Sequence, residues 1–76
     1  MSEFNREDCE KFINENLPQL ASEIVEWKKT CILKNGKMRE LGAMVSSWAD
    51  SYHDLQIAES MVNYAALVAA STPHNP

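Results

Sequence analysis

One apolar stripe constrains the fold of this chain more than any other feature of its sequence. Alternating steps of three and four residues fall on one face of an α-helix. Nine of the ten positions reached by such steps are apolar or aromatic: Met38, Leu41, Val45, Trp48, Tyr52, Leu55, Glu59, Val62, Ala66 and Ala69. Residues 37–70 contain no Pro and one Gly. The pattern predicts a single helix about 50 Å long at 1.5 Å per residue.

A stripe of this length needs a cover that one short chain does not obviously provide. A chain of 76 residues forms at most one domain, and it buries only about 60% of its unfolded surface. We therefore expect a second copy to cover the part of the stripe that the preceding helices leave open. The predicted interface between copies consists of Leu41, Val45, Trp48, Tyr52, Leu55 and Val62.

The N-terminal half also shows helical periodicity, interrupted by one Pro. The spacing of apolar residues predicts one helix over 3–15 and a second over 18–33. Pro18 separates them because Pro lacks an N–H and disfavours helix in the residue before it. The apolar row nevertheless continues across Pro18, so one kinked helix over 3–31 is an open alternative.

The ends of these helices carry recognisable cap and turn residues. Ser2 or Asn5 is predicted to cap the first helix. Gly36 is predicted to end the second in the left-handed conformation that is common just past a helix. Asn35-Gly36 is also a hairpin signal, and two very short strands around it are a second interpretation.

The predicted long helix has one weak point, at residues 50–54. Asp50 or Ser51 could cap a new helix there, and a break would allow four short helices to close as a monomer. The stripe crosses 50–54 without a change of phase, which favours continuity. Beyond Leu55 a second apolar row, formed by Ile57, Met61, Tyr64 and Val68, predicts that the C-terminal half contacts two neighbours.

Together these patterns predict an all-α fold. The first two helices form a hairpin with the first half of a long C-terminal helix, and a homodimeric helical bundle completes the structure. Residues 1–70 are expected to form the single domain, and residues 71–76 a disordered polar tail.

Charge is unevenly distributed along the chain. The net charge is −4, yet one segment without acidic residues holds five of the seven basic ones: Lys28, Lys29, Lys34, Lys37 and Arg39. These cations could simply complement the end of a helix dipole, or they could contact an acidic protein or phosphates. Five phosphate contacts would give weak, salt-sensitive binding, and the acidic remainder would repel a duplex. We therefore predict a protein partner for this basic patch, with a nucleic-acid-binding regulator as the alternative.

No motif in the chain indicates catalysis. Asp50, His53 and Asp54 lie within one helical turn, but acid–base chemistry also needs a pocket with convergent groups. We interpret the three as a solvated polar face. The sequence has no Gly-rich phosphate loop, nucleophile elbow or paired metal-ligand motif. We expect neither an enzyme nor a cofactor.

Two cysteines, Cys9 and Cys31, are too few for a disulfide framework. They are predicted to be buried thiols in a reducing compartment, with one disulfide as the alternative. The N-terminus, MSEFNREDCE, is charged and unlike a signal peptide. No run approaches the ~20 apolar residues of a membrane span. A soluble, cytoplasmic protein without a membrane partner is expected.

Two features of the stripe have two interpretations each. The aromatic residues Trp27, Trp48 and Tyr52 are expected to pack between helices, although Trp and Tyr also dominate binding hot spots. Glu59 interrupts the stripe. It lies either at an edge or at a buried position that sets register between copies.

The MSEF start, the short acidic helical chain, the two free cysteines and the brief polar tail resemble the small accessory proteins of temperate phages and prophages. Proteins of that class usually act by binding a host or phage protein. The resemblance therefore implies a regulator, inhibitor or adaptor, and it assigns no functional residue.

Overall fold

The chain folds into three α-helices that share one core. A computed structural model describes residues 3–71. Helix α1 spans Arg6–Thr30, α2 spans Lys37–Ser46 and α3 spans Asp54–Ser71, and each helix packs against the other two. The all-α prediction is confirmed. Residues 3–71 contain no strand, so the alternative of two short strands around Asn35-Gly36 is wrong.

Helix α1 begins with a reciprocal cap. The Asn5 side chain accepts a hydrogen bond from the backbone N–H of Asp8 at 2.9 Å. The Asp8 carboxylate in turn accepts one from the backbone N–H of Asn5 at 3.0 Å. This capping box satisfies two N–H groups that have no partner inside the helix. The prediction of Asn5 as the cap is confirmed, whereas Ser2 lies outside the described residues.

A kink at Asn16 bends α1 without ending it. Asn16 has φ −127° and ψ 20°, outside the helical range. Pro18 explains the bend, because its ring disfavours the helical conformation in the preceding turn. The two helices predicted over 3–15 and 18–33 therefore meet at this non-helical residue, and together they form the one kinked helix of the alternative.

Helix α1 ends at a left-handed Cys31. This residue has φ 62°, and its N–H donates to the carbonyl of Trp27 at 2.7 Å. The left-handed position was expected at Gly36, which instead has an extended φ of 176°.

Both cysteines are free, and Cys9 is buried as predicted. Cys31 is exposed at the cap, so its predicted burial is wrong.

Glu23 of α1 caps the N-terminus of α2. Its carboxylate accepts hydrogen bonds from the backbone N–H groups of Lys37 at 3.1 Å and Met38 at 2.7 Å. A carboxylate is favoured there because the N-terminal end of a helix carries partial positive charge. A Cβ at Gly36 would lie 2.8 Å from both carboxylate oxygens. Gly36 therefore leaves room for the carboxylate, which a Cβ would displace, and it does not form a left-handed turn.

The long helix predicted over 37–70 is wrong, because residues 47–53 form a loop between α2 and α3. The Ser47 hydroxyl donates to the carbonyl of Met44 at 2.9 Å and accepts from the N–H of Phe4 at 3.3 Å. The loop turns Ala58 and Val62 onto the core, where both are buried. Burying a Val side chain stabilises the fold by roughly 1.5–3 kcal/mol. A straight helix would leave Val62 exposed unless a second copy covered it.

One core is shared by all three helices. Its buried residues are Cys9, Ile13, Leu20, Ile24, Met38, Leu41, Val45, Ala58 and Val62. Gly42 lets α3 approach α2 closely, since a Cβ there would lie 2.7 Å from Cδ2 of Leu55. The predicted stripe is thus mostly covered within a single chain.

The cap on α2 depends on pH. Burial acts to raise the pKa of Glu23, but hydrogen bonds from the Met38 N–H, the Gln19 amide and the Lys37 N–H, with the charge of Lys37, hold it below its ordinary 4.5. A carboxyl whose pKa is lower in the folded state stabilises the fold above its unfolded pKa. That contribution is lost as the pH falls through the folded-state pKa.

We predict that Glu23→Gln lowers the free energy of unfolding by about 1–2 kcal/mol at neutral pH, as the loss of a helix cap does. Urea unfolding followed by circular dichroism measures it. The difference from wild type should shrink as the pH falls below 4.5. Glu26→Gln, on an exposed position of the same helix, should stay within about 0.5 kcal/mol of wild type. A Glu23→Gln protein as stable as wild type would contradict the cap.

Candidate functional site: an apolar cleft between α1 and α3

A cleft of about 760 Å³ lies between the N-terminal half of α1 and the length of α3. Buried and half-buried side chains line its inner part: Ile13, Trp48, Ile57, Met61 and Ala65. Exposed residues form its rim: Arg6, Glu10, Asn14, Ser60, Tyr64, Val68 and Ala69. The cleft is therefore apolar inside and open to solvent along one side.

The second apolar row predicted on the C-terminal half faces this cleft. Its four members, Ile57, Met61, Tyr64 and Val68, all line it. They recur at intervals of four, three and four residues, which is one face of a helix. Tyr64 is 69% exposed and Val68 45% exposed. The outer part of this row, at Tyr64, is therefore largely exposed.

The polar groups that line the cleft lie at its exposed rim. Arg6 Nε lies 3.4 Å from Glu10 Oε2, and both side chains are largely exposed. No polar or charged residue among 3–71 is buried. Sites for small molecules usually combine an apolar lining with a few placed polar groups. This cleft has the apolar lining, and its polar groups, which include Asn14 and Ser60, are exposed at the rim.

Trp48 links the cleft to the buried thiol of α1. Its indole N–H donates to Sγ of Cys9 at 3.2 Å. Burial raises the pKa of the Cys9 thiol, against the Trp48 hydrogen bond, and the charges of Asp8 and Glu10 raise it further. Because the thiolate is the reactive form, Cys9 is a packing residue rather than a nucleophile.

Three of the five residues in the predicted basic patch have partners within the chain. Lys28 Nζ lies 3.1 Å from Glu59 Oε1 and 5.2 Å from the centre of the Trp27 ring. The Glu59 side chain is 18% exposed. Glu59, which interrupts the stripe, therefore connects α3 to α1 within one chain.

The other two engaged cations stabilise the start of α2. Lys37 Nζ lies 3.6 Å from Glu40 Oε2, and Arg39 donates to the carbonyl of Leu33 at 2.6 Å. Lys29 and Lys34 are exposed and have no ion pair with any residue of 3–71. The structure thus leaves two cations of the patch free for an outside partner.

The six residues predicted to form an interface between copies are divided by the structure. Leu41, Val45 and Val62 are at most 1% exposed, so a second copy could not contact their side chains. Trp48 and Leu55 are half-buried, and Tyr52 is fully exposed in the loop 47–53.

The polar cluster considered for catalysis lies in the same loop and at the start of α3. The Asp54 carboxylate accepts from the backbone N–H of Leu55 at 2.8 Å. Within residues 3–71, the His53 imidazole makes no ion pair or hydrogen bond with Asp50 or Asp54. The three residues are neighbours in the sequence, but they do not form an acid–base pair.

Comparison with protein-family models, curated proteins and solved structures finds no match for this chain. Among the described residues, no three His, Cys, Asp or Glu side chains are placed to hold a metal ion. No helix within 3–71 has the length and apolar character needed to cross a membrane.

We predict that the two thiols differ sharply in reactivity. An aromatic disulfide reagent should modify exposed Cys31 at once and buried Cys9 only as the structure opens. Trp48→Ala, which removes the ring over Cys9 and costs about 3 kcal/mol, should accelerate the slow phase. The Cys31→Ser protein should retain the slow phase alone. Two equally fast thiols in the wild type would contradict the placement of Cys9.

Proposed function

We propose that this protein is a non-catalytic protein–protein interaction module, a regulator, inhibitor or adaptor that receives a helix in the α1–α3 cleft. The observation that carries the proposal is the open apolar cleft bordered by exposed Tyr64 and Val68. Grooves of this kind bind the apolar face of an amphipathic helix through side chains spaced at i, i+3, i+4 and i+7.

Volume alone does not distinguish a helix from a small molecule, since small-molecule sites occupy about 300–1,000 Å³. The polar groups decide between them. Arg6 and Glu10 neutralise each other at the rim, and the inner lining offers no buried polar side chain. The uncharged polar side chains of the lining, Asn14, Ser60 and Tyr64, are exposed at the rim, so the interior offers apolar contact, which suits the apolar face of a helix.

The cleft also supplies the residue types that anchor protein complexes. Trp and Tyr are enriched among binding hot spots, and the cleft contains Trp48 and Tyr64. The resemblance to small phage accessory proteins supports a host or phage protein as the target and a cytoplasmic location. A homodimeric bundle belongs to the same proposal.

Nucleic-acid binding through the basic patch is the less favoured alternative. Lys28 is paired with Glu59 and Lys37 with Glu40, so most of the patch already serves the fold. Two free lysines would neutralise two phosphates, which gives weak binding with a shallow salt dependence.

The test compares a variant in the cleft with a variant outside it on the same helix. Ala69→Arg places a charge at the rim, while Asn63→Arg places the same charge at an exposed position that does not line the cleft. We predict that wild type and Asn63→Arg retain a lysate partner and that Ala69→Arg loses it. Tyr64→Ala should weaken the purified complex by about 2 kcal/mol, or ~30-fold.

A double variant, Lys29→Gln with Lys34→Gln, tests the alternative without disturbing the paired cations. It should keep the partner, and wild type should not shift random duplex DNA at low salt. If Ala69→Arg keeps the partner while the double variant loses it, the binding surface is the basic patch and the cleft proposal is wrong.

A further inference from the structure

The two chain segments that border the α1–α3 cleft are both acidic. Residues 3–15, on the α1 side, contain five acidic and two basic side chains. Residues 47–71, on the other side, contain three acidic side chains and no basic one. The fold places both segments around one cleft, with a combined charge of −6. Residues 16–46 between them carry +2, so the net charge of −4 is concentrated on the cleft side of the molecule.

Most of these acidic groups are not neutralised by a neighbouring cation. Within the part of the chain that the structure describes, Glu10 and Glu59 are the only two of the eight that form an ion pair. Glu7 forms none, and it lies one helical turn before Glu10, on the α1 border of the cleft. Both side chains are exposed. This border therefore keeps negative charge even after Arg6 has paired with Glu10.

The α3 border supplies no cation to balance that charge. Residues 60–71 contain no charged side chain, and the last turn of α3 contains no basic one. That end of a helix carries partial negative charge, and Val68 and Ala69, which belong to it, line the cleft. Apolar walls of low dielectric concentrate the field of nearby charges in a cleft. The cleft therefore favours a cationic occupant over an anionic one.

We infer that the helix received by the α1–α3 cleft is a cationic amphipathic helix, with one apolar face and with Lys or Arg along the flank that faces α1. This partner chemistry rests on the proposed helix-binding role of the cleft. An uncharged helix would gain only the burial of its apolar face, whereas a cationic helix would also be attracted by Glu7 and Glu10. An acidic helix would be repelled. The sign is opposite to that of the partner predicted from the basic patch.

Three synthetic peptides of about 18 residues, long enough to form a helix in water, test the sign of the partner. They share one apolar face with Leu at positions i, i+3, i+4 and i+7, and they carry Lys, Gln or Glu at the same positions of one flank. These three residue types have similar helix propensities. Fluorescence anisotropy of each labelled peptide, titrated with the protein, measures the dissociation constant.

We expect wild type to bind the Lys peptide at least about fivefold more tightly than the Gln peptide at low salt, which a few exposed charge pairs suffice to give. The Glu peptide should bind most weakly. The three affinities should converge as the salt concentration rises to about 1 M, because salt screens exposed charges.

Two double variants locate the charge that the peptides detect. Glu7→Gln with Glu10→Gln removes one free and one paired carboxylate from the α1 border. Glu26→Gln with Glu40→Gln also removes one free and one paired carboxylate, at exposed positions that do not line the cleft. We expect the first double variant to lose the preference for the Lys peptide and the second to retain it. Circular dichroism checks that both keep their helices.

Equal binding of the three peptides by wild type would overturn the inference, as would a Lys preference that the first double variant keeps or that both double variants lose. If Ala69→Arg nevertheless weakened binding of the Gln peptide, which responds to the shape of the cleft alone, the proposed function would stand. A wild type that binds none of the peptides would also overturn the inference. The proposed function would then fail only if Ala69→Arg kept the captured partner as well.

Discussion

The change of chain direction at residues 47–53 determines how every apolar surface of this protein is used. It turns Val62 onto the core that Met38, Leu41 and Val45 also form, so four members of the stripe become internal contacts. The same turn carries α3 across α1 and opens the cleft between them. Had the chain continued as one helix, the stripe would be the exposed surface and there would be no cleft. The core and the candidate site therefore have a common origin.

Two interactions from α1 hold the elements on either side of this turn. The Glu23 carboxylate fixes the start of α2 through the Lys37 and Met38 N–H groups. The Lys28–Glu59 pair connects α1 to α3, although pairs with an exposed partner contribute only about 0–1 kcal/mol. Apolar burial dominates stability, and these polar contacts select which packing forms. The cations that look like a binding patch in the sequence therefore partly hold the helices of the fold together.

Local signals in the sequence were sufficient to predict helical periodicity and the Asn5 cap, and insufficient to predict where the helices begin and end and how they pack. The Asn5 cap and the apolar rows can be found because they depend on neighbouring residues. The sequence pattern could not distinguish a turn after Ser46 from one continuous helix. The periodicity of the apolar residues is the same whether the stripe is covered by its own chain or by another copy. The Glu23 cap joins residues 14 and 15 positions apart, and no local pattern announces it. The row through Tyr64, which forms the α3 side of the cleft, could be found in the sequence. The α1 side of the cleft depends on tertiary contact and could not.

The distance between α1 and α3 tests the central claim that the stripe closes within one chain. Spin labels at Lys29→Cys and Asn63→Cys, with Cys31→Ser and an excess of unlabelled protein, report that distance within single chains. Because Lys28 and Glu59 are in contact and packed helices lie about 8–10 Å apart, the labels should be separated by less than about 25 Å. In a hairpin that turned at Asn35-Gly36 and continued as one helix, residue 29 would lie beside about residue 43, and residue 63 would be roughly 30 Å further along the helix axis. A distance distribution centred near that longer value would contradict the fold and the cleft together.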